Sequence, residues 1–171
     1  MRSRRRLAGP VVLAALVLAS CGGEATKGLA TLKGDGFTVS MPGKPTRMEQ
    51  SVQTLKGTVK AISYTSDSKD KAFSIGYTEL PKGIRGDLHG AIAGGAANVG
   101  GVVHDERTTT YQGYKTRDAR ISGAAKNKGT LFVRAILADD RLYVLQFIGE
   151  GNDLKTPPPA YGQIVDSLKI G

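Results

Sequence analysis

Two apolar segments on either side of Asp139-Asp140 constrain the fold of this chain more than any other stretch. They occupy residues 131–138 and 141–148, and a two-residue turn between them predicts a β-hairpin. Successive residues of a strand point to opposite faces, and here both faces are largely apolar. We therefore expect the hairpin in the middle of a sheet, with a further layer covering each face. The turn also predicts which residues are opposed: Ile136 with Tyr143, Arg134 with Leu145, and Phe132 with Phe147.

Further strand-like segments predict the remaining strands, which fall into two blocks. The strands are expected at residues 37–41, 47–54, 58–65 and 72–80, and then at 102–111 and 114–121 before the hairpin. Residues 47–54 are polar and predict an edge strand. Strands in blocks with few helices are typical of the α+β class, so we expect an antiparallel β-sheet flanked by helices.

A helix is predicted after each block of strands, from apolar residues that recur at helical spacing. The first helix follows Asp87 as its N-cap and has its apolar residues at Leu88, Ile92, Ala96 and Val99. The second has Thr156 as a candidate cap and Pro159 in its first turn. Its apolar stripe comprises Tyr161, Ile164, Val165 and Leu168.

The predicted order ββββαββββα and two short motifs resemble the PsbP-like α/β/α sandwich proteins, which include the LpqN-type lipoproteins of actinobacteria. The motifs are FTVSMPGKP at residues 37–45 and a closing helix that ends in Asp166-Ser167-Leu168. The resemblance implies a sandwich fold and a non-enzymatic accessory or partner-binding role, with no shared catalytic residues. The alternative fold is a curved sheet wrapped on one side only, as in cystatin-like domains, where the hairpin would have a bare face.

The N-terminus has the pattern of a secretory signal peptide. Four arginines within the first six residues precede an apolar run at 7–19, and this run is shorter than the roughly 20 residues that a membrane-spanning helix needs. The run ends in Leu18-Ala19-Ser20-Cys21, which resembles the lipobox of bacterial lipoproteins. The resemblance implies a signal peptide at 1–20 and a diacylglyceryl thioether on Cys21, whose freed amine can take a further acyl chain such as palmitate.

Two other interpretations of the leader remain open: an ordinary secretory signal with a chance cysteine, and a basic arm that binds nucleic acid. Cys21 is the only cysteine and stands where the lipobox requires it, and a nucleic-acid arm would not need the apolar run. We therefore expect a lipid anchor on the extracytoplasmic face of the cell membrane. Gly22 would permit export to an outer membrane where the cell has one. Residues 21–36 are expected to be a flexible tether, and 37–171 the folded domain.

The composition excludes several function classes. After the leader, 20 Lys and Arg residues face 15 Asp and Glu residues, a net charge of +5 without a basic block, so nucleic acid is not an expected partner. A single cysteine allows neither an intrachain disulfide nor a thiolate metal cluster. We expect no cofactor, because the glycine-rich stretch 90–101 lacks a P-loop lysine and the dinucleotide spacing.

Few residues are candidates for a site. His104-Asp105-Glu106 could suggest a metal, but neighbouring strand residues point to opposite faces and zinc needs three converging ligands, so we expect a solvated strand and no metal site. Arg134 is a charge on an otherwise apolar face, and it should therefore have a carboxylate partner or border a pocket. Arg134 and Tyr143 are the candidate ligand contacts.

The sequence favours a membrane-anchored cell-envelope lipoprotein that is not an enzyme and binds another envelope protein. A carrier for a lipid or glycolipid is the alternative, and it would need an apolar cavity. A hydrolase is the second alternative. It would need a nucleophile hydrogen-bonded to a base, although no serine lies in a Gly-x-Ser-x-Gly elbow.

Overall fold

A computed structural model describes residues 28–54, 57–68, 71–82, 86–124, 129–151 and 154–171. The described elements are ten strands and two helices. In chain order they are β1 (Leu29–Gly34), β2 (Phe37–Pro42), β3 (Thr46–Thr54), β4 (Gly57–Ser68), β5 (Lys71–Glu79), α1 (Leu88–Asn98), β6 (Val102–Tyr111), β7 (Tyr114–Gly123), β8 (Gly129–Ala138), β9 (Arg141–Glu150), α2 (Pro159–Ser167) and β10 (Lys169–Ile170).

The larger sheet has seven antiparallel strands in the order β3-β4-β5-β9-β8-β7-β6. The hairpin of β8 and β9 lies in its interior, and its register opposes Ile136 to Tyr143 and Phe132 to Phe147, as the two-residue turn predicts. β3 is at one edge, which confirms the edge position expected for residues 47–54. The two apolar faces therefore predicted the place of the central hairpin, and its two-residue turn predicted the pairing.

One face of the larger sheet is covered by α2 and by a smaller antiparallel sheet, β1-β2-β10. Alternate residues of β2 are buried in this layer. The core between the layers includes Met41 from β2, Ile136 from β8 and Leu168 at the end of α2, all 0% exposed. This layer is aromatic, since the rings of Tyr64, Tyr77 and Tyr143 surround Phe37 with centroids 5.9–6.3 Å away.

The opposite face of the larger sheet is covered by α1. Ala91 and Ile92 of this helix are almost fully buried, and they belong to one cluster with Ile121, Leu131 and Val133 of the sheet. Both faces of the central hairpin are thus packed, and the cystatin-like alternative, with one bare face, is wrong.

Two strands extend the expected order ββββαββββα. β1 occupies residues 29–34 of the segment expected to be a flexible tether, so that prediction is wrong for this part of 21–36. The cause is Asp35-Gly36, a hairpin turn signal that pairs β1 with β2 from Gly34 and Phe37 onward, and Gly36 has φ +76°. The short strand β10 follows α2 and pairs with β2.

The helix termini differ in detail from the expectation. Asp87 is at the N-cap of α1, as predicted, but its side chain makes no capping hydrogen bond. The N-cap of α2 is Pro158 rather than Thr156, and the helix begins at Pro159. Proline at the first position suits a helix start, because its missing N–H would have no helical partner.

Candidate functional site

Arg134 of β8 is paired with a carboxylate from the neighbouring strand, the first of the two environments expected for it. Its Nε and Nη2 donate to the two carboxylate oxygens of Asp118 over 2.7 and 2.8 Å. The side chains are 18% and 15% exposed. The hydrogen bonds from Asp118 raise the pKa of Arg134 and outweigh the opposite effect of burial. A bidentate guanidinium–carboxylate pair of this kind is strong and fixed in orientation.

Tyr111 links the Arg134–Asp118 pair to α2. The guanidinium lies over the ring of Tyr111, 5.3 Å from its centroid, within the range of a cation–π contact. The Tyr111 hydroxyl donates to backbone carbonyls at the end of α2, at 2.7 Å from Val165 O and 2.8 Å from Leu168 O. These contacts join the pair to α2.

Tyr143, the second candidate ligand contact, is a diagonal neighbour of Arg134 on the same sheet face but has different partners. It is 2% exposed, and its hydroxyl donates to Gly36 O over 3.3 Å. Nearby, Arg141 donates to Asp35 O over 2.9 Å and to the Glu79 carboxylate over 3.0 Å. The fold therefore turns Arg134 and Tyr143 toward separate clusters and does not bring them together around one opening.

Tyr77 belongs to the Tyr143 cluster and joins the two sheets. Its hydroxyl donates to Asp35 over 3.2 Å, and Arg141 lies over its ring, 4.9 Å from the centroid. Burial, together with the charge of Asp35, raises the pKa of Tyr77 to about 12. The hydroxyl thus remains protonated at neutral pH and acts as a donor that holds the β1–β2 turn on the larger sheet.

The residues His104-Asp105-Glu106 lie at a β-bulge of the edge strand β6, where Asp105 has φ +51°. Asp105 accepts from Arg120 over 2.7 Å, and this bond lowers the pKa of Asp105. Glu106 accepts from Arg117 over 2.8 Å and lies 2.9 Å from His89 Nδ1. Burial acts to raise the pKa of Glu106, but these two hydrogen bonds lower it overall.

The bulge thus separates two carboxylates that the sequence places side by side. Each has a different arginine partner on β7, so this stretch is ion-paired rather than simply solvated. Over the ranges that the structure describes, no group of three His, Cys, Asp or Glu side chains could hold a metal ion.

His104 makes one further contact that the sequence did not indicate. Its Nε2 lies 2.8 Å from the Oγ of Ser122 on β7. A hydroxyl hydrogen-bonded to an imidazole is the first requirement of nucleophilic catalysis. A third group that orients the imidazole is the next requirement, and the neighbouring Asp105 is instead bonded to Arg120.

The predicted lipidation residue, Cys21, lies outside the described residues, as do the signal peptide at 1–20 and the first part of the tether. Of the helices in the described part of the chain, none is long and apolar enough to cross a membrane.

The architecture places the chain in the class of α+β sandwiches with antiparallel sheets and two helices. The predicted order of elements and the two sequence motifs resembled the PsbP-like proteins, and the comparison with solved structures supports a PsbP-like fold. The solution structure of cyanobacterial PsbP (CyanoP) from Synechocystis sp. PCC 6803 matches with a TM-score of 0.60, over 90% of this chain and 99% of that chain, at 13% sequence identity. No family model matches the sequence, and no curated protein does so either.

Proposed function

We propose that the protein is a cell-envelope lipoprotein, anchored through Cys21 to the extracytoplasmic face of the membrane. Its PsbP-like domain serves as a non-enzymatic accessory module that binds another envelope protein. The observation that carries this proposal is the single cysteine of the chain, placed at the end of Leu18-Ala19-Ser20-Cys21 after a basic and apolar leader. Two or more acyl chains would give stable anchoring, whereas one gives only marginal binding.

The arrangement of charged side chains supports a binding role rather than catalysis. In the described part of the domain the prominent charges are paired with one another across strands, as in Arg134–Asp118, Arg120–Asp105 and Arg117–Glu106. Such pairs fix the positions of strands, and each of the three carboxylates is already engaged by an arginine. A stable sandwich with an inert interior suits a module that presents its surface to a partner.

We expect Cys21→Ala to abolish the anchor. The thiolate is the acceptor of the diacylglyceryl group, so the variant should lose acyl labelling and normal processing, and its processed form should disappear from the membrane fraction. The measurement is metabolic labelling with an alkyne fatty acid, followed by flotation of membranes. Ser20→Ala keeps a small residue before the cysteine and is the matched control. A labelled, membrane-bound Cys21→Ala protein would contradict the proposal.

A hydrolase is the one other function that a specific contact favours, namely the hydrogen bond between Ser122 and His104. We expect this pair to be inert, because a serine within an extended strand lacks the exposed turn of a nucleophile elbow and because Asp105 is engaged by Arg120. A fluorophosphonate probe should therefore label the natural chain no more than it labels the Ser122→Ala variant. Labelling that requires both Ser122 and His104 would favour the hydrolase over the accessory module.

A lipid or glycolipid carrier has less support. The aromatic side chains between the two sheets are in contact with one another, for example Phe73 with Phe147 at a centroid distance of 4.8 Å. A bound acyl chain in this layer would have to displace rings that form the core. Mass spectrometry of the protein extracted from membranes tests the carrier directly, since a carrier should retain a stoichiometric lipid besides the anchor.

A further inference from the structure

The two edges of the seven-stranded sheet differ in how they are protected against pairing with another strand. β6 carries the bulge between His104 and Arg107, and a bulge of this kind discourages pairing at an edge. β3 instead keeps an unbroken register with β4 over all nine of its residues. It contains neither proline nor glycine. In the part of the chain that the structure describes, no strand pairs with its outer side.

One face of β3 is nearly symmetric about the central residue of the strand, Gln50. The alternate positions read Thr46, Met48, Gln50, Val52 and Thr54, and alternate positions of a strand share one face. If β3 pairs antiparallel with its own copy about Gln50, threonine is opposite threonine and methionine is opposite valine. The two copies of Gln50 then oppose each other. The strand is therefore self-complementary, as a two-fold interface requires.

The charged residues of β3 are also compatible with antiparallel pairing about Gln50. Arg47 and Glu49 form an ion pair along the strand at 3.0 Å, and Glu49 is 3.2 Å from Lys60 of β4. In the symmetric register Arg47 is opposite Gln53 of the copy, and Glu49 is opposite Ser51. No like charges are directly opposed, and it is direct opposition that destabilises a strand pair.

We propose that β3 pairs with β3 of a second copy of this chain, antiparallel and about a two-fold axis at Gln50. The two sheets then form one continuous sheet of fourteen strands. The symmetric face favours a second copy over an extended segment of another protein, because pairing with a copy already places threonine opposite threonine and methionine opposite valine. A single strand pair is a narrow interface, and confinement to a membrane would raise the effective concentration of the copies. That last point alone rests on the proposed anchor.

Disulfide cross-linking of the full chain in membranes tests the register. Directly opposed residues are about 5 Å apart, within the Cα separation that a disulfide allows. Gln50→Cys should therefore give a covalent dimer on mild oxidation. Ser51→Cys is the matched control, because its copies are two positions out of register and about 8 Å apart, beyond the limit for a disulfide. The unsubstituted chain is a second control, because any disulfide that it forms must involve Cys21.

Two further experiments test the axis itself. Met48→Cys and Val52→Cys should cross-link when the two chains are co-expressed, and neither should do so alone.

With differently tagged copies, Gln50→Lys and Gln50→Glu should each reduce co-purification about tenfold, because like charges meet at the axis. A mixture of the two variants should restore it. Gln50 is only partly buried at an edge, so both variants should fold.

The outcomes separate the dimer from the anchor. If the protein floats with membranes but Gln50→Cys cross-links no more than Ser51→Cys, the β3 pairing is wrong and the anchor stands. If the protein is absent from the membrane fraction, the anchor is wrong. The same cross-links and charge reversals in concentrated purified protein then decide the pairing.

Discussion

Asp118→Asn should destabilise the protein by about 2–3 kcal/mol. The change leaves Arg134 without a counter-charge beneath α2, where both side chains are mostly buried. Breaking a fully buried pair costs roughly 3–5 kcal/mol, and an exposed pair is worth about 0–1 kcal/mol, so this partly exposed pair should fall between them. The measurement is the free energy of unfolding in urea, followed by circular dichroism.

The double variant Asp118→Leu with Arg134→Met is the control for this prediction. Replacing a buried ion pair by apolar residues of similar size is often neutral or stabilising, so we expect the double variant to unfold within about 1 kcal/mol of the natural chain. A double variant as unstable as Asp118→Asn would contradict this expectation and would mean that the ion pair itself stabilises the fold, beyond offsetting its own desolvation.

Ile136→Ala and Ile92→Ala should each cost about 2–5 kcal/mol of folding free energy, the usual range for buried isoleucine. Ile136 faces the smaller sheet and is 0% exposed, and Ile92 lies on α1 on the opposite side and is 1% exposed. Equal sensitivity on the two sides is the energetic signature of a sheet packed on both faces. Chemical denaturation of the two variants measures it.

Val102→Ala provides the matched control, because this side chain is 61% exposed. Exposed apolar side chains contribute little to stability, so we expect the free energy of unfolding to change by no more than about 0.5 kcal/mol. A small effect of Ile92→Ala beside a large effect of Ile136→Ala would show that α1 contributes little to the core, contrary to the packing described above.

The sequence predicted the features of the fold that depend on periodicity. The double-faced apolar pattern of residues 131–138 and 141–148 was sufficient to place the hairpin inside the sheet. Its register followed from the two-residue turn at Asp139-Asp140. The helical spacing in α1 and α2 was equally clear. The edge position of β3 followed from its polar composition.

Other features depend on contacts between distant parts of the chain and could not be predicted in the same way. Asp35-Gly36 is a turn signal, but β1 has only scattered apolar residues and is mostly exposed, so composition alone suggested a tether. The ion pairs of Arg117 and Arg120 depend on a bulge in β6 whose position the sequence does not mark. For Arg134 a carboxylate partner was expected, and the strand register identifies it as Asp118.

The strand β1 limits how far the domain can lie from the membrane. If Cys21 is lipidated, seven residues lie between it and Leu29, and the eight fully extended Cα–Cα steps span at most about 28 Å. The first strand therefore stays within about 28 Å of the lipid headgroups. The linker is too short to carry the domain far into the envelope. A partner that contacts the β1 end of the domain would therefore have to lie close to the same bilayer.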